Sequence, residues 1–411
     1  MQNRKYTFKI YPNKTQEAHL LEHLYLHQQL YNAALQERID CYQKTGLGLS
    51  YNDQQKSLTQ IRADDAAYKK IPVYFTRMTL RRLDKAFRSF FARFKKGQTA
   101  GFPRYKSLNR FSSFEMCSHG DGWNFNIQKK GHAKLHIRGI GYIKARGQAR
   151  IEGKVKTSQV IHRYGQWFLS VTLETDELIL RDKSTAKKAC AIDWGVAHLM
   201  TLTEDNGDHQ YVENPRLYQS GKQRRTQLQQ RLSSKKRGSN NWKKACKKLS
   251  TLSRKQANQR KDLHHKLSTQ IAKEYHLVAM EKLQIKNMSK SAKGNAEQHG
   301  KNVKQKSGLN REILDTAPAM LMSMIRYKVE ETGGEFVETP TKKLKPSQRC
   351  PKCHHVHKDN RKTQASFVCG SCGFAQNADV VSGLNSLMYA LGLEAGTVPE
   401  VFTSKPLLSV A

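Results

Sequence analysis

The sequence predicts a multidomain α+β fold, and three changes of texture along its 411 residues carry that prediction. A strand-like opening and a run of short strands from Phe114 to about Leu180 enclose a helical stretch. An α/β pattern of buried strands and long helices follows from residue 184. Two CxxC knuckles, Cys350/Cys353 and Cys369/Cys372, then stand fifteen residues apart, the spacing of a small metal-held module.

Taken in order, Tyr6-Thr7-Phe8-Lys9-Ile10-Tyr11 alternates like a half-buried strand and stops at Pro12. Asn13 or Thr15 caps the helix that follows, with Leu20, Leu24, Tyr31 and Leu35 on one side. Leu80, Leu83, Phe87, Phe90 and Phe94 step by 3, 4, 3 and 4, which reads as a core-facing helical stripe. Gly97 and Gly101-Phe102-Pro103-Arg104 end that helix, so 13–114 forms a helical module. The strands after it, among them Lys134–Ile137, Gln159–His162 and Gln166–Leu173, are punctuated by Gly139, Gly141, Gly147 and Gly165. They predict a small β-barrel or sandwich, which the opening strand completes, making the helices an insertion.

Farther on, Ala189–Ile192 is a buried-type strand ending at Asp193, and Asn206-Gly207 turns Leu199–Thr203 back along His209–Val212. Residues 222–266 hold sixteen Lys or Arg and one acid, Asp262, in a helical hairpin bent at Gly238-Ser239-Asn240. Trp242, Ala245, Leu249 and Leu252 mark its apolar face. His276–Met280 is another buried strand, with Glu281 at its C-terminal end. Residues 286–309 read as a mobile, lid-like segment. Thr316 is expected to cap a helix with Pro318 in its first turn, running through Leu321, Ile325 and Val329 to Gly333-Gly334. Glu335–Glu338 is a short strand, Val380, Leu384, Leu387 and Leu391 mark a last helix, and a loose tail follows.

Lys and Arg number 72 against 34 acids, a net charge of +38. Solubility asks for roughly 2–8 in a small domain, so the excess points to a polyanionic partner, nucleic acid. The phosphate-contact candidates are Arg77, Arg81, Arg82 and Lys85 on the first basic helix. On the second hairpin they are Arg224, Arg225, Lys235, Lys236, Arg237, Lys243, Lys244, Lys247, Arg254 and Arg260. Sixteen cations to one acid is too lopsided for salt-bridge support along a helix. No apolar run is long enough to span a membrane and no targeting pattern follows Met1. Scattered Cys41, Cys117, Cys190 and Cys246 do not make a disulfide framework, so a reducing, cytoplasmic compartment is expected.

Two constellations carry chemistry. The four cysteines suit a closed tetrahedral Zn²⁺ site, structural because four thiolates leave no open position. His354, His355 and His357 lie between the knuckles, outside that shell. Asp193 and Glu281 each follow a buried strand, and Asp379 opens a helix seven residues after Cys372. Three carboxylates brought to one sheet edge suit Mg²⁺, and two such ions would serve phosphodiester hydrolysis.

The order of these parts resembles TnpB, the RNA-guided nuclease family of insertion sequences related to type V CRISPR effectors. The matching stretches are Ala191-Ile-Asp193-Trp-Gly195, Met280-Glu281-Lys-Leu-Gln-Ile-Lys286-Asn-Met288 and Asn310-Arg-Glu-Ile-Leu-Asp315. Pro346-Ser-Gln-Arg-Cys350-Pro-Lys-Cys353, Phe367-Val-Cys369, Cys372-Gly373, Asn377-Ala-Asp379-Val380 and Phe102-Pro-Arg-Tyr-Lys-Ser107 complete them. The resemblance implies a wedge-like β-barrel domain (1–12 and 115–183) and a helical recognition module (13–114). It also implies an RNase H-like RuvC nuclease domain (184–345 and 376–395), an inserted zinc ribbon (346–375) and a tail (396–411). It implies Asp193, Glu281 and Asp379 as the Mg²⁺-binding catalytic acids. A guide RNA from the transposon end and double-stranded target DNA with a short flanking motif are the implied partners. Two departures stand out. Trp194 replaces a smaller aliphatic residue, and Val380-Val381-Ser382-Gly383 stands where Val-Asn-Ala-Ala is common. A non-enzymatic zinc-ribbon regulator of transposition and a strand-transferring transposase are the alternatives left open.

Overall fold

In the computed structural model, which describes residues 2–127, 132–147, 153–175, 188–295, 297–363 and 365–393, the opening strand β1 (Gln2–Tyr11) lies in mid-sheet. The chain forms two compact units, divided between residues 178 and 179.

In the first unit β1 leads into α1 (Lys14–Thr45), α2 (Tyr51–Asp64), α3 (Ala66–Lys70) and α4 (Val73–Lys95). Strands β2 (Ser113–Cys117), β3 (Trp123–Ile127), β4 (His132–Ile137), β5 (Gly141–Arg146), β6 (Lys154–Arg163) and β7 (Gln166–Thr175) follow. The capping residue of α1 is Asn13: its Oδ1 accepts from Gln16 N at 2.8 Å while Gln16 Oε1 accepts from Asn13 N at 3.1 Å. Gly46, at φ 69°, ends the helix in the left-handed conformation.

The sheet order is β2-β6-β7-β1-β5-β4-β3, antiparallel throughout, with Gln2 opposite Thr175 and Lys9 opposite Arg146. All four helices are therefore inserted between β1 and β2. Edge strands β2 and β3 do not pair among the described residues, so the expected closed barrel is an open sheet. Phe8, Leu169 and Val171 of the sheet share one core with Leu20, Leu35, Phe75 and Leu83 of the helices. Sheet and helices thus make a single body rather than two. The stripe on α4 leaves that core early. Phe87 is 8% exposed, but Phe94 is 70% exposed because the helix runs on past the elements that cover its first turns.

The second unit is built on β8 (Lys188–Trp194), β9 (His198–Glu204), β10 (His209–Glu213), β11 (Tyr275–Glu281) and β12 (Glu335–Thr339). Their order is β10-β9-β8-β11-β12, antiparallel from β10 to β8 and parallel from β8 to β12. Between β10 and β11 run α5 (Leu217–Ser220), α6 (Lys222–Ser233) and α7 (Asn240–Glu274), with Ser239 capping α7 at the expected bend. After β11 come α8 (Ile285–Met288), α9 (Val303–Thr316) and α10 (Pro318–Glu331).

Two expectations are corrected here. Only the last seven residues of the stretch read as a lid, 303–309, belong to α9, and Thr316 ends that helix instead of capping the next. Its Oγ1 donates to Ile313 O at 2.9 Å, and Ala317, at φ 46°, makes the break. Proline at 318 bars its predecessor from the right-handed helical region, so one helix stops where the next starts. Beyond β12 lie α11 (Thr341–Leu344), the hairpin β13 (Ser366–Val368) and β14 (Ala375–Asn377), and α12 (Ala378–Ala390). The tail predicted for 396–411 lies outside the described residues. Among the described residues no helix is long and apolar enough to cross a membrane.

Strand alternation sorts the second sheet into two faces. Cys190, Ile192, Val278 and Met280 join Ile271, Leu321, Ile325 and Val329 in the main core. Ala189, Ala191 and Ala279 point the other way and pack with Leu387 of α12. Small side chains let α12 come close. A Cβ on Gly383 would stand 2.3 Å from Thr203 Oγ1 and 2.8 Å from Thr203 Cβ, so only glycine fits there. Gly383→Ala would gain about 1 kcal/mol in an exposed helix. Here overpacking is expected to reverse the sign and cost roughly 1–3 kcal/mol. A lowered thermal midpoint checks this, and an unchanged or raised one would count against the close contact.

Candidate metal centres

The face that α12 covers is also the acidic one. Asp193 continues the series Ala189, Ala191 along β8, and Glu281 continues Leu277, Ala279 along β11. Ile192 pairs with Met280 in parallel register, so the next row sets Asp193 beside Glu281 at the C-terminal ends of both strands. Asp379 lies in the first turn of α12, where Asn377 Oδ1 accepts from its backbone N at 2.9 Å. All three acids are half-buried.

The charge of the other two acids bears on Asp193. Burial, then the charges of Glu281 and Asp379, push the Asp193 carboxyl well above the usual range, against Arg361 and a hydrogen bond from Ser382. Glu281 is also raised, by burial, with Ser382 and Arg361 among the groups that oppose the shift. Desolvated carboxylates that repel each other are short of positive charge, and hard oxygen donors suit a hard divalent cation.

Two members of this site were not among the candidate site residues. Arg361, a residue between the knuckles, places Nη2 3.4 Å from Asp379 Oδ1. Ser382 donates from Oγ to Glu281 Oε1 at 3.1 Å. Helical spacing could have found Ser382, three residues after Asp379 on one face of α12. Nothing sets Arg361 apart from the other cations of its loop. Ser382 and Gly383, both departures from the family pattern, therefore contact Glu281 and Thr203. Trp194, the other departure, is buried against Leu199 and Met200 in the main core.

The four cysteines form a tighter group. Their sulfurs all lie within 4.8 Å of one another, with Cys350 Sγ 3.6 Å from Cys372 Sγ and Cys353 Sγ 3.5 Å from Cys369 Sγ. Tetrahedral zinc with bonds of about 2.3 Å asks for sulfurs roughly 3.8 Å apart, so the cluster is compatible with a structural zinc. His354 N donates to Cys350 O and Gly373 N to Cys369 O, and both residues take positive φ to close the two knuckles. Desolvation raises the Cys369 thiol, but the backbone N–H groups of Cys372 and Ser371 outweigh it and bring it down to about 7. A thiol lowered in this way is more readily deprotonated by a metal. Among the described residues no carboxylate set closes to the same distance, so the acids stand more openly than a single-ion cage would.

The basic residues divide by what they hold. Arg82 donates to Ser113 O at 2.8 Å and to Glu115 Oε1 at 3.2 Å. Arg225 bonds Ser253 and Gln256, and Arg260 pairs with Asp315, which is itself buried. Those three therefore serve the fold as internal bonds rather than standing free for phosphate. Arg77 and Arg81 lie over the rings of Tyr74 and Tyr51, Arg224 bonds Gln227, and Arg254 is half-buried. Lys85, Lys235, Lys236, Arg237, Lys243, Lys244 and Lys247 are exposed.

Residues 168–292 match a family described as "Probable transposase" (OrfB IS605), and residues 1–46 match the helix-turn-helix domain named for the same family. Residues 319–386 match the Cas12f1-like TNB domain. The chain is 31% identical over 319 residues to "Putative RNA-guided DNA endonuclease InsQ" of Escherichia coli (strain K12), covering 78% of this chain and 75% of that protein. It is 28% identical over 404 residues to "Putative RNA-guided DNA endonuclease" of Streptomyces pristinaespiralis, covering 95% and 90%. Similarity at 25% over 295 residues extends to "CRISPR-associated endodeoxyribonuclease Cas12f1" of Sulfoacidibacillus thermotolerans, covering 68% and 65%.

Proposed function

Since the chain belongs to the TnpB (OrfB IS605) family, we propose that it is a transposon-encoded RNA-guided DNA endonuclease whose hydrolytic centre is Asp193, Glu281 and Asp379. The observation that carries this reading is the convergence of the three acids on one face, where Glu281 and Asp379 both add to the charge burden of Asp193. The sheet order, three antiparallel strands followed by two parallel ones, supports an RNase H-like nuclease core. On this reading the antiparallel sheet of the first unit is the wedge, its helices are the recognition module, and the cysteine module is a zinc ribbon.

Asp193, Glu281 and Asp379 would hold Mg²⁺, which when bound would supply an activated water and counter-charge for the leaving 3′ oxygen of the scissile phosphate. The chain's own residues prepare that centre. Burial behind α12 strips water from Asp193 and keeps its oxygens oriented. Ser382 holds one oxygen of Glu281. Arg361 steadies Asp379 and lends positive charge where phosphate would enter. The exposed cations of α6 and α7 hold nucleic-acid backbone, reading shape and charge while guide pairing reads sequence.

Ser382→Ala is expected to slow cleavage roughly 10-fold, the worth of a hydrogen bond to a charged group, while Ser382→Thr keeps most of the rate. Single-turnover assays check it, and equal rates for Ala and wild type would remove Ser382 from the site. The function itself is tested by sequencing RNA that copurifies with the protein and challenging the complex with matched and mismatched plasmids. Guide-dependent cutting with 5′-phosphate ends, abolished by chelation, is expected. Strand-transfer products without RNA, or binding with no cleavage in any divalent ion, would overturn it.

A further inference from the structure

The outer end of α4 carries a set of rings that the first unit's core does not use. Phe90 stands 5.1 Å from Phe91, 6.4 Å from Phe94 and 5.4 Å from Phe102 between ring centroids, and Phe87 anchors the group at 5.5 Å from Phe102. Phe91, Phe94 and Phe102 are 53%, 70% and 48% exposed. Isolated exposed apolar residues need no explanation, but three contiguous aromatic side chains on a chain of charge +38 do. Beside them, between α4, the end of α1 and the loop after it, opens a cavity of about 470 Å³. Arg38, Ile39, Tyr42, Gln43, Phe90 and Phe102 are among its lining residues, so its walls are mainly apolar with a guanidinium, a phenol and a carboxamide at hand.

Charge decides what can cover this surface. Lys44 closes α1, Arg93, Lys95 and Lys96 close α4, and Arg104 follows Phe102, all of them exposed. Of the nearby acids, Asp84 is engaged by Arg38 and Arg88, and Asp40 accepts from Gln36. A second copy of the chain would bring the same positive charge against itself. A polyanion with flat apolar faces matches both features, since bases stack on rings while phosphates meet the flanking cations. Paired bases offer no free face, whereas loops of folded RNA splay theirs outward.

We infer that the Phe90–Phe102 ring cluster and its cavity form a stacking site for unpaired bases in a loop of the guide RNA, one base entering the cavity and its neighbours lying on Phe91 and Phe94. This inference rests on the RNA-guided reading and names the part of the first unit that grips the guide.

The probe is an RNA hairpin with a uridine-rich loop carrying a photoreactive thiouridine, compared with a fully paired RNA and a single-stranded DNA of the same sequence. Binding is followed by anisotropy, and the crosslinked peptide is identified by mass spectrometry. Crosslinks are expected at Phe91, Phe94 or Phe102. Phe91→Ala with Phe94→Ala is expected to weaken loop binding ~10-fold or more, leaving affinity for paired RNA and the salt dependence unchanged. Phe91→Trp retains loop binding and Phe91→Leu does not, because stacking needs a ring and apolarity alone does not suffice.

Leucine variants that bind like wild type, alanine variants that change only the protein's mass in solution, or ring-dependent binding of the DNA alone would each overturn the inference. Guided cleavage is scored separately. Ring-independent RNA binding in an enzyme that cuts under guidance refutes this site alone. Ring-dependent RNA binding without guided cutting refutes only the nuclease reading.

Discussion

Asp193→Asn is expected to abolish guided DNA cleavage, a loss of ~10³-fold or more, while guide RNA binding survives and the metal-free protein becomes more stable. The second half follows from the sign of the shift. Asp193 and Glu281 are both raised in the folded chain, so above their unfolded values of about 4 the folded state binds more protons than the unfolded one. Stability must then fall as pH rises from about 4 through the folded values. Asn at 193 removes much of that slope. Its melting advantage over wild type is therefore expected to be absent near pH 4 and to grow toward neutrality. Each kcal/mol relieved moves the midpoint by about 2–4 °C in a domain of this size. Divalent metal should raise the wild-type midpoint and leave the variant's nearly still. Undiminished cutting by the variant would dismiss Asp193 as catalytic, and a pH-independent melting difference would dismiss the electrostatic account.

Removing a zinc held by the four cysteines is expected to have the second large effect. Among the described residues the cysteine module has a core of Cys350, Phe367, Cys369, Ala378 and Val381, with Phe374 beside it. A core that small does not hold a fold without a staple. Two of those residues belong to α12, and Asn385 of the same helix donates to Pro346 O and Arg349 O, both at 2.8 Å. Loss of the metal thus loosens the helix that carries Asp379 and withdraws Arg361. Apparent zinc-binding energies of about 10–16 kcal/mol in small modules compare with a whole domain's stability. Cys369→Ser, or depletion with a zinc chelator, should cut cleavage at least ~100-fold on the same grounds. Added Zn²⁺ restores the depleted wild type, and excess Mg²⁺ does not. Metal analysis should find one zinc per chain, and a cysteine variant that cleaves normally would show the module to be independent of the acid centre.

The strands that carry Asp193 and Glu281 were legible because buried runs such as Ala189–Ile192 and His276–Met280 announce themselves by composition. That both acids share a face was less so. It depends on register between strands eighty-odd residues apart, which alternation within each strand does not contain. Arg361 was invisible for the same reason, since it acquires its meaning from a partner distant in sequence, whereas helical spacing from Asp379 does point to Ser382. The basic helices were easy to find, but Arg82, Arg225 and Arg260 look no different in sequence from the cations that remain exposed. The aromatic stripe of α4 misled in the opposite direction. Its 3, 4, 3, 4 spacing states which residues share a face and says nothing of where the covering elements stop.

The position of β1 has a consequence in time. Its partners are β7 and β5, and Gln2 meets Thr175. At roughly 5–20 residues per second on the ribosome, the first strand emerges on the order of ten to thirty seconds before its main partner exists. The four inserted helices make local contacts and can form while it waits. The sheet therefore completes its oldest strand last, and most of an alternating apolar segment stays unpaired until β7 emerges. Shortening the delay, by permuting the chain so that β1 follows β7, should speed folding of the first unit without altering a single contact in the finished sheet.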